Sequence, residues 1–258
     1  MRLSAFLLLL AGACSATPGP TSPIPSSNTS PRSTLAPNPS PSPNPNPNPN
    51  PTSTPSSTPA PIADPELPAG TVVVHVGDSM ADALGKELEV ELKALGIRNP
   101  HAWKEATYIP QWASKFDKMG YRALLAQNNP DLVIITLGGN ELAMPNPQER
   151  AEPIREMVKA AGDRPCLWIA APLWPDAKNT GLFDVIKANC APCIFVDTNA
   201  MLKLEVLSSD HVHPTLSERK RWAKFMIRWL RHNRDPNGAK AWSFKAKLEP
   251  PPDEGATE

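Results

Sequence analysis

The sequence predicts an α/β fold: a five-stranded parallel sheet with helices on both faces, three layers in all. Three observations predict it. Thr71 to Val76, Leu132 to Leu137 and Cys166 to Ala171 are almost continuously apolar, as strands buried on both faces are. Segments with helical spacing separate these runs, the alternation that gives parallel, doubly covered sheets. Two of the runs end abruptly in Gly77-Asp78-Ser79 and Gly138-Gly139-Asn140-Glu141. In open parallel sheets, strand ends of one polarity share a rim, and ligands bind there.

The elements follow in order. After the first strand, Ala81, Leu84, Leu88, Leu92 and Leu95 recur every three or four residues and predict an amphipathic helix, with Gly96 suited to its C-cap. His101 to Thr107 reads as a second, poorer strand, and Tyr108 to Gln111 as a loop. Trp112, Phe116, Ala123 and Leu124 mark one face of a helix interrupted near Gly120 and ended by Asn128-Asn129-Pro130. The third strand, Leu132 to Leu137, leads through a loop with Pro145 and Pro147 to a helix carrying Ile154, Met157, Val158 and Ala161. Cys166 to Ala171 is the fourth strand, Leu182 to Ala188 a short helix, and Cys193 to Val196 the fifth strand. The last helix runs from about Leu216 to Arg231 and turns Trp222, Phe225, Met226, Trp229 and Leu230 inward.

Composition sets the frame around this domain. The 258 residues carry 26 basic and 26 acidic side chains, a balance that argues against a general nucleic-acid binder. Residues 1–14 have the pattern of a targeting segment: one charge at Arg2, a short apolar stretch from Leu3, then Ala11-Gly12-Ala13-Cys14. That ending resembles a bacterial lipobox, which implies acylation of Cys14 and a membrane anchor; the rival is an ordinary secretory signal. Ser15 in the next position implies sorting to an outer membrane, if the cell has one. The expected location is therefore the cell envelope. No second apolar run is long enough to span a bilayer. Residues 15–66 form a tether rich in Pro, Asn, Ser and Thr, too poor in large apolar residues to fold. As polyproline II, fifty such residues would reach on the order of 100 Å. The folded domain is assigned to 67–234 and a polar tail to 235–258, with Trp242 and Phe244 pinning its first part.

Three segments carry the chemistry. Ser79 would stand at the end of the first strand and the start of a helix, where free N–H groups favour negative charge. Asn140 ends the third strand, and Asp210-His211-Val212-His213 precedes the last helix. A serine hydroxyl needs a base to become a nucleophile, and His213 is suited to the task. Asp210, three residues earlier, can hold the imidazole in the right tautomer. The Ser79 N–H and the Asn140 amide can donate to a tetrahedral oxyanion. His211, adjacent to Asp210, is the alternative base. His75, inside the first strand, reads as a packed histidine.

Order and spacing resemble the SGNH (GDSL-type) hydrolases, whose blocks G-D-S, G-x-N-[DE] and D-x-x-H match Gly77–Ser79, Gly138–Glu141 and Asp210–His213. The resemblance covers Thr71 to about Leu230. It implies a flavodoxin-like sheet and hydrolysis of carboxylic esters without metal or cofactor, with Ser79 as nucleophile, His213 as base and Asp210 as its orienter. One block departs. Where the family has a glycine whose N–H is a third oxyanion donor, this chain has Lys104-Glu105-Ala106-Thr107-Tyr108. Ala106 or Thr107 is expected to supply that N–H, provided its dihedrals are ordinary. Gly139 and Trp174 are the expected substrate-lining residues, with packing the alternative for Trp174.

Cys190-Ala191-Pro192-Cys193 lacks the second pair a metal site needs and precedes a strand, unlike redox motifs. In an exported protein one structural disulfide among Cys166, Cys190 and Cys193 is expected, with either partner open for Cys193 and one thiol left over. The expected substrate is an ester, an O-acylated glycan of the cell wall or surface, because the domain sits on a tether. The rivals are lipase, lysophospholipase or thioesterase action on small esters, glycan O-acyl transfer, and a carbohydrate-binding module on a decayed hydrolase fold.

Overall fold

A computed structural model describes residues 64–205 and 208–252. The targeting segment, Cys14 and all but the last three residues of the tether lie outside the described residues. Five strands form one parallel sheet: β1 (Val73–Gly77), β2 (His101–Trp103), β3 (Leu132–Thr136), β4 (Cys166–Ile169) and β5 (Ile194–Val196), in the order β2-β1-β3-β4-β5. That is the flavodoxin-like order, with the sheet reversing direction between β1 and β3. Both central strands are buried at every residue.

The two-residue period of the strands sorts their side chains into two cores. Val74, Val76, Val133, Ile135 and Trp168 face a layer built by α2 (Ile109–Ala113), α3 (Tyr121–Asn128), α4 (Ala151–Ala161) and α5 (Leu182–Asn189). Val73, Leu132, Ile134, Leu167 and Ile169 face α1 (Ser79–Ala94) and α7 (Leu216–Asn233), which pack against each other. Leu84, Leu88 and Leu92 of α1 and Trp222, Met226 and Leu230 of α7 are fully buried there. A short helix α6 (Thr198–Met201) follows β5. Leu95 is the C-cap of α1, and Gly96 follows it in the left-handed region, φ 71°.

Four expectations need correction. The second strand stops at Trp103, where its neighbour β1 also ends. The helix expected through Phe116 is two helices: α2 ends at Ala113, and Gly120 begins α3 as its N-cap. Phe116 lies between them and is 74% exposed. On α3 the buried residues are Tyr121 and Leu125, not Ala123 and Leu124. The fourth is the loop expected at Tyr108 to Gln111, where Ile109 already begins α2. The first part of the tail is pinned as expected. Trp242 is fully buried and donates to Thr71 Oγ1, Phe244 contacts Trp229, and Asn233 exchanges hydrogen bonds with Glu249. Among the described residues no helix is long and apolar enough to cross a membrane.

Candidate active site

The site begins with the turn after β1. A Cβ on Gly77 would stand 1.8 Å from the Thr136 carbonyl oxygen, so only glycine lets β1 end this close to β3. Asp78 follows, fully buried. Its Oδ1 accepts from the Met80 N–H at 2.9 Å, which makes it the N-cap of α1. Its Oδ2 accepts from the N–H groups of Gly138 and Gly139, each at 3.1 Å. One carboxylate thus ties the end of β1 to the end of β3. Burial pushes its pKa up to about 6, against the pull of those three donors. Gly138, with φ 117° and Leu182 3.2 Å from where its Cβ would be, makes the matching turn after β3.

Ser79 is then the first residue of α1, half-buried on the sheet's carboxyl rim. Its Oγ lies 2.7 Å from His213 Nε2, and His213 Nδ1 lies 2.7 Å from Asp210 Oδ2. Both distances are those of hydrogen bonds. The other Asp210 oxygen accepts from the Ser208 hydroxyl and from the N–H groups of Val212 and His213, at 2.9 and 3.0 Å. The Ser208 hydroxyl first, then the His213 donors and the Val212 N–H, hold the Asp210 carboxyl far below the usual carboxylate range. Asp210 is therefore an anion although its side chain is half exposed. The turn is short enough that residues 208 to 213 bond to one another: the His211 N–H donates to Ser208 and the Ser208 N–H to His213. His211 takes a left-handed backbone, φ 58°, and it is His213 that reaches Ser79.

The third side is the loop after β2. Ala106 has φ 52°, so the proviso of ordinary dihedrals fails: this alanine occupies the left-handed region where glycine is at ease. The loop is held from across the rim. Asn140 Nδ2 donates to the Thr107 carbonyl at 3.0 Å, and Glu141 Oε2 accepts from the Ile109 N–H at 2.8 Å. Thr107 Oγ1 donates to the Lys104 carbonyl and accepts from Trp112 Nε1. Asn140 keeps its second amide hydrogen for the cleft. Neither the Ser79 N–H nor the Ala106 N–H has an acceptor among the described residues.

A cleft of about 480 Å³ brings Ser79, Ala106, Asn140, Asp210 and His213 together. Sequence reasoning missed the charged residues of its walls, Asp82, Glu105 and Arg219. Asp82 is one turn after Ser79 on α1, so helical spacing from Ser79 was the available signal, and Arg219 stands in the first turn of α7, just after the Asp210–His213 turn. Two expected lining residues lie elsewhere. Gly139 is buried beneath the rim, where a Cβ would meet Met80, Asp78 and Ala171. Trp174 lines a different cleft, of about 610 Å³, with Leu173, Pro175 and the Leu202–Glu205 segment after α6. It also packs on both apolar cores. His75 is fully buried against Thr136, as a packed histidine should be. Among the described residues no cluster of His, Cys, Asp and Glu is arranged to hold a metal ion.

No protein-family model and no curated protein matches the chain. Solved structures do resemble it. A family 3 carbohydrate esterase of Clostridium thermocellum is similar over 60% of this chain and 92% of its own, at 20% identity and a TM-score of 0.48. A catalytic mutant of an acetylxylan esterase from Geobacillus stearothermophilus is similar over 63% of this chain and 95% of its own, at 17% identity and a TM-score of 0.46. A lipase from a goat rumen metagenome covers 60% and 94%, at 16% identity and a TM-score of 0.43. In the structure itself, the three blocks Gly77–Ser79, Gly138–Glu141 and Asp210–His213 meet on one rim of the parallel sheet.

Proposed function

We propose that the protein is a serine ester hydrolase in which Ser79 is the nucleophile. The observation that carries this is the unbroken row from Ser79 Oγ through His213 to Asp210, with both links at 2.7 Å. His213 Nε2 takes the Ser79 proton as Oγ attacks the acyl carbonyl. Asp210 accepts the Nδ1 proton, fixes the tautomer and faces the imidazolium that forms. The carbonyl oxygen becomes an oxyanion. Its donors are the Ser79 N–H, the second Asn140 amide hydrogen and the Ala106 N–H. His213 then protonates the leaving alkoxide, and the acyl group stays on Ser79. Water attacks that ester with His213 again as base, which releases the acid and restores Ser79.

For the substrate we infer an O-acetyl or other short acyl ester on a cell-wall or surface glycan. Apart from Ala106 the residues lining the cleft above Ser79 are polar or charged, which suits a short acyl group on a polar scaffold better than a long alkyl chain. The Pro-rich leader and the lipobox-like Cys14 support an enzyme tethered to the cell envelope, within reach of a polymer.

The test is hydrolysis of p-nitrophenyl acetate and octanoate by the purified protein, beside Ser79→Ala and His213→Ala. Both variants should lose at least about a thousandfold in kcat, since removing a member of such a row typically does. Acetate should be preferred to octanoate. A parent protein that hydrolyses neither ester, and whose Ser79 is not labelled by a fluorophosphonate, would sink the reading.

A further inference from the structure

Glu141 is 2% exposed, and its two carboxylate oxygens have different partners. Oε2 accepts the Ile109 N–H at 2.8 Å, at the start of α2. Oε1 pairs with the Arg150 guanidinium, at the start of α4. One buried anion therefore joins the loops after β2 and β3 and the entrance to α4, all on the rim that carries Ser79. Taking a carboxylate out of water is unfavourable unless charge and hydrogen bonds compensate it. Burial does push its pKa up, while the Ile109 N–H and Arg150 oppose that shift. An apolar side chain would fill the same space without that desolvation, so the carboxylate's distinctive contribution is the pair of polar ties it makes.

The loop is anchored at its start by the Lys104 N–H on the Gly77 carbonyl and in its middle by buried Thr107, which bonds the Lys104 carbonyl and Trp112 Nε1. Lys104, Glu105, Ala106 and Tyr108 are exposed, so packing alone does not determine their backbone. Ala106 nevertheless keeps a left-handed conformation, which a non-glycine residue retains only when its surroundings over-determine it. Two ties reach the loop from the opposite strand end. Asn140 grips the Thr107 carbonyl and Glu141 grips the Ile109 N–H, two residues further on. Without Glu141, among the described residues the Asn140 amide alone bonds the Thr107–Ile109 part of the loop to the end of β3, and that amide is also assigned as an oxyanion donor.

We propose that Glu141 is a positioning residue: it holds the Lys104–Ile109 loop so that the Ala106 N–H and the Asn140 amide converge on one oxyanion. The inference rests on the ester-hydrolase reading. It assigns no proton transfer to Glu141, which acts through the residues it holds.

The experiment compares Glu141→Leu, Glu141→Gln and Glu141→Asp with the parent. Leu92→Ala serves as a control, being a cavity in the other apolar layer that lowers stability without touching the rim. Readouts are kcat and KM for p-nitrophenyl acetate, inhibition by methylboronic acid, and the melting temperature. The boronate adduct of Ser79 carries an oxygen where the oxyanion forms. Glu141→Leu should lose about 100-fold in kcat, as misplacement by about 1 Å does, with KM within about twofold. Boronate inhibition should weaken in parallel. Glu141→Gln, which can still accept the Ile109 N–H, should stay within about fivefold of the parent. Leu92→Ala should keep kcat within about twofold despite its lower melting temperature. Should Glu141→Leu fail to fold, Glu141→Asp decides, because its shorter carboxylate cannot span both partners: a tenfold or greater loss of kcat supports the proposal, and parental kcat overturns it. Parental kcat or parental boronate affinity in folded Glu141→Leu also overturns it, as does a loss matched by Leu92→Ala. An inert parent with unlabelled Ser79 overturns the hydrolase reading and this inference together, whereas an active parent isolates the role of Glu141.

Discussion

Ala106 takes the left-handed backbone in which glycine is at ease, at the place where the resemblance leads one to expect glycine. The left-handed region brings the Cβ of an L-residue too close to its own carbonyl, at about 1–2 kcal/mol. Alanine, the smallest side chain with a Cβ, pays least in crowding, and the backbone still takes φ 52° beside Ser79 and Asn140. Ala106→Gly should therefore be neutral to mildly stabilising: relief of about 1–2 kcal/mol of strain exceeds the about 0.4–1 kcal/mol lost to the freer unfolded chain. Its kcat should stay within about threefold of the parent. Ala106→Val should lose tenfold or more in kcat, because a β-branched residue cannot hold this conformation. Equal kcat in the two variants would mean that the Ala106 N–H takes no part. The missing glycine was visible in the sequence, but the dihedral was not. It depends on Asn140 and Glu141, more than thirty positions away, and no local pattern reports such ties. The meeting of Ser79, Asp210 and His213 was legible because a strand end places Ser79 on the rim and the turn before α7 brings Asp210 and His213 to it. Asp78 could be read as a helix cap, yet its second oxygen, bound to Gly138 and Gly139, has no local signature.

At the scale of elements, apolar runs located β3 and β4 to within two residues at each end, since strands buried on both faces leave no polar position to blur them. The α2–α3 region was misread for a physical reason. Asp117 takes φ 49°, and its two carboxylate oxygens accept from the N–H groups of Arg122 and Ala123. That caps a new helix where the apolar spacing suggested a continuing one. The cysteines were left open between pairings, and parallel register resolves them. Cys166 begins β4, Cys193 immediately precedes β5, and the two are bonded with Cα atoms 4.6 Å apart. Cys190 remains a free, buried thiol whose pKa burial pushes up to about 11. The bond closes a loop with a sequence separation of 27 residues around α5. In the chain-entropy account it contributes about 3–4 kcal/mol. Replacing both Cys166 and Cys193 by alanine should lower the denaturation free energy by about that amount, while the same change at Cys190 should cost less than half as much. Urea titration of the two variants checks this, and equal losses would argue against the pairing.

For the whole molecule, the two ends of the domain meet. Trp242 reaches back to Thr71 at the threshold of β1, and Arg234 to the Glu66 carbonyl, so the described tail completes the layer formed by α1 and α7. Trp242 and Phe244, two aromatic residues in an otherwise polar stretch, were the signal for that in the sequence. The response to acid is likewise a property of the whole chain, and two buried groups in and just after β1 contribute to it with opposite signs. His75 is held neutral: burial first, then the neighbouring charge of His101, lowers its pKa from 6.5 to about 3. Below pH 6.5 the unfolded chain binds a proton there that the fold refuses, so this site's contribution to stability is lost as pH falls, by about 1.4 kcal/mol per pH unit down to about 3. Asp78 works in the opposite sense. Its folded pKa of about 6 lies above the ordinary 3.8, so between those values the fold binds the proton more readily and gains stability as pH falls, at a similar rate. From pH 6 to pH 4 the two slopes nearly cancel. His75→Gln removes the first and leaves the second. The stability of the parent relative to His75→Gln should therefore drop by about 2 kcal/mol between pH 6 and pH 4.5, read from urea denaturation at the two values. A constant difference would show that His75 gains a proton in the folded protein, and that the centre of the sheet is more open to water than its packing indicates.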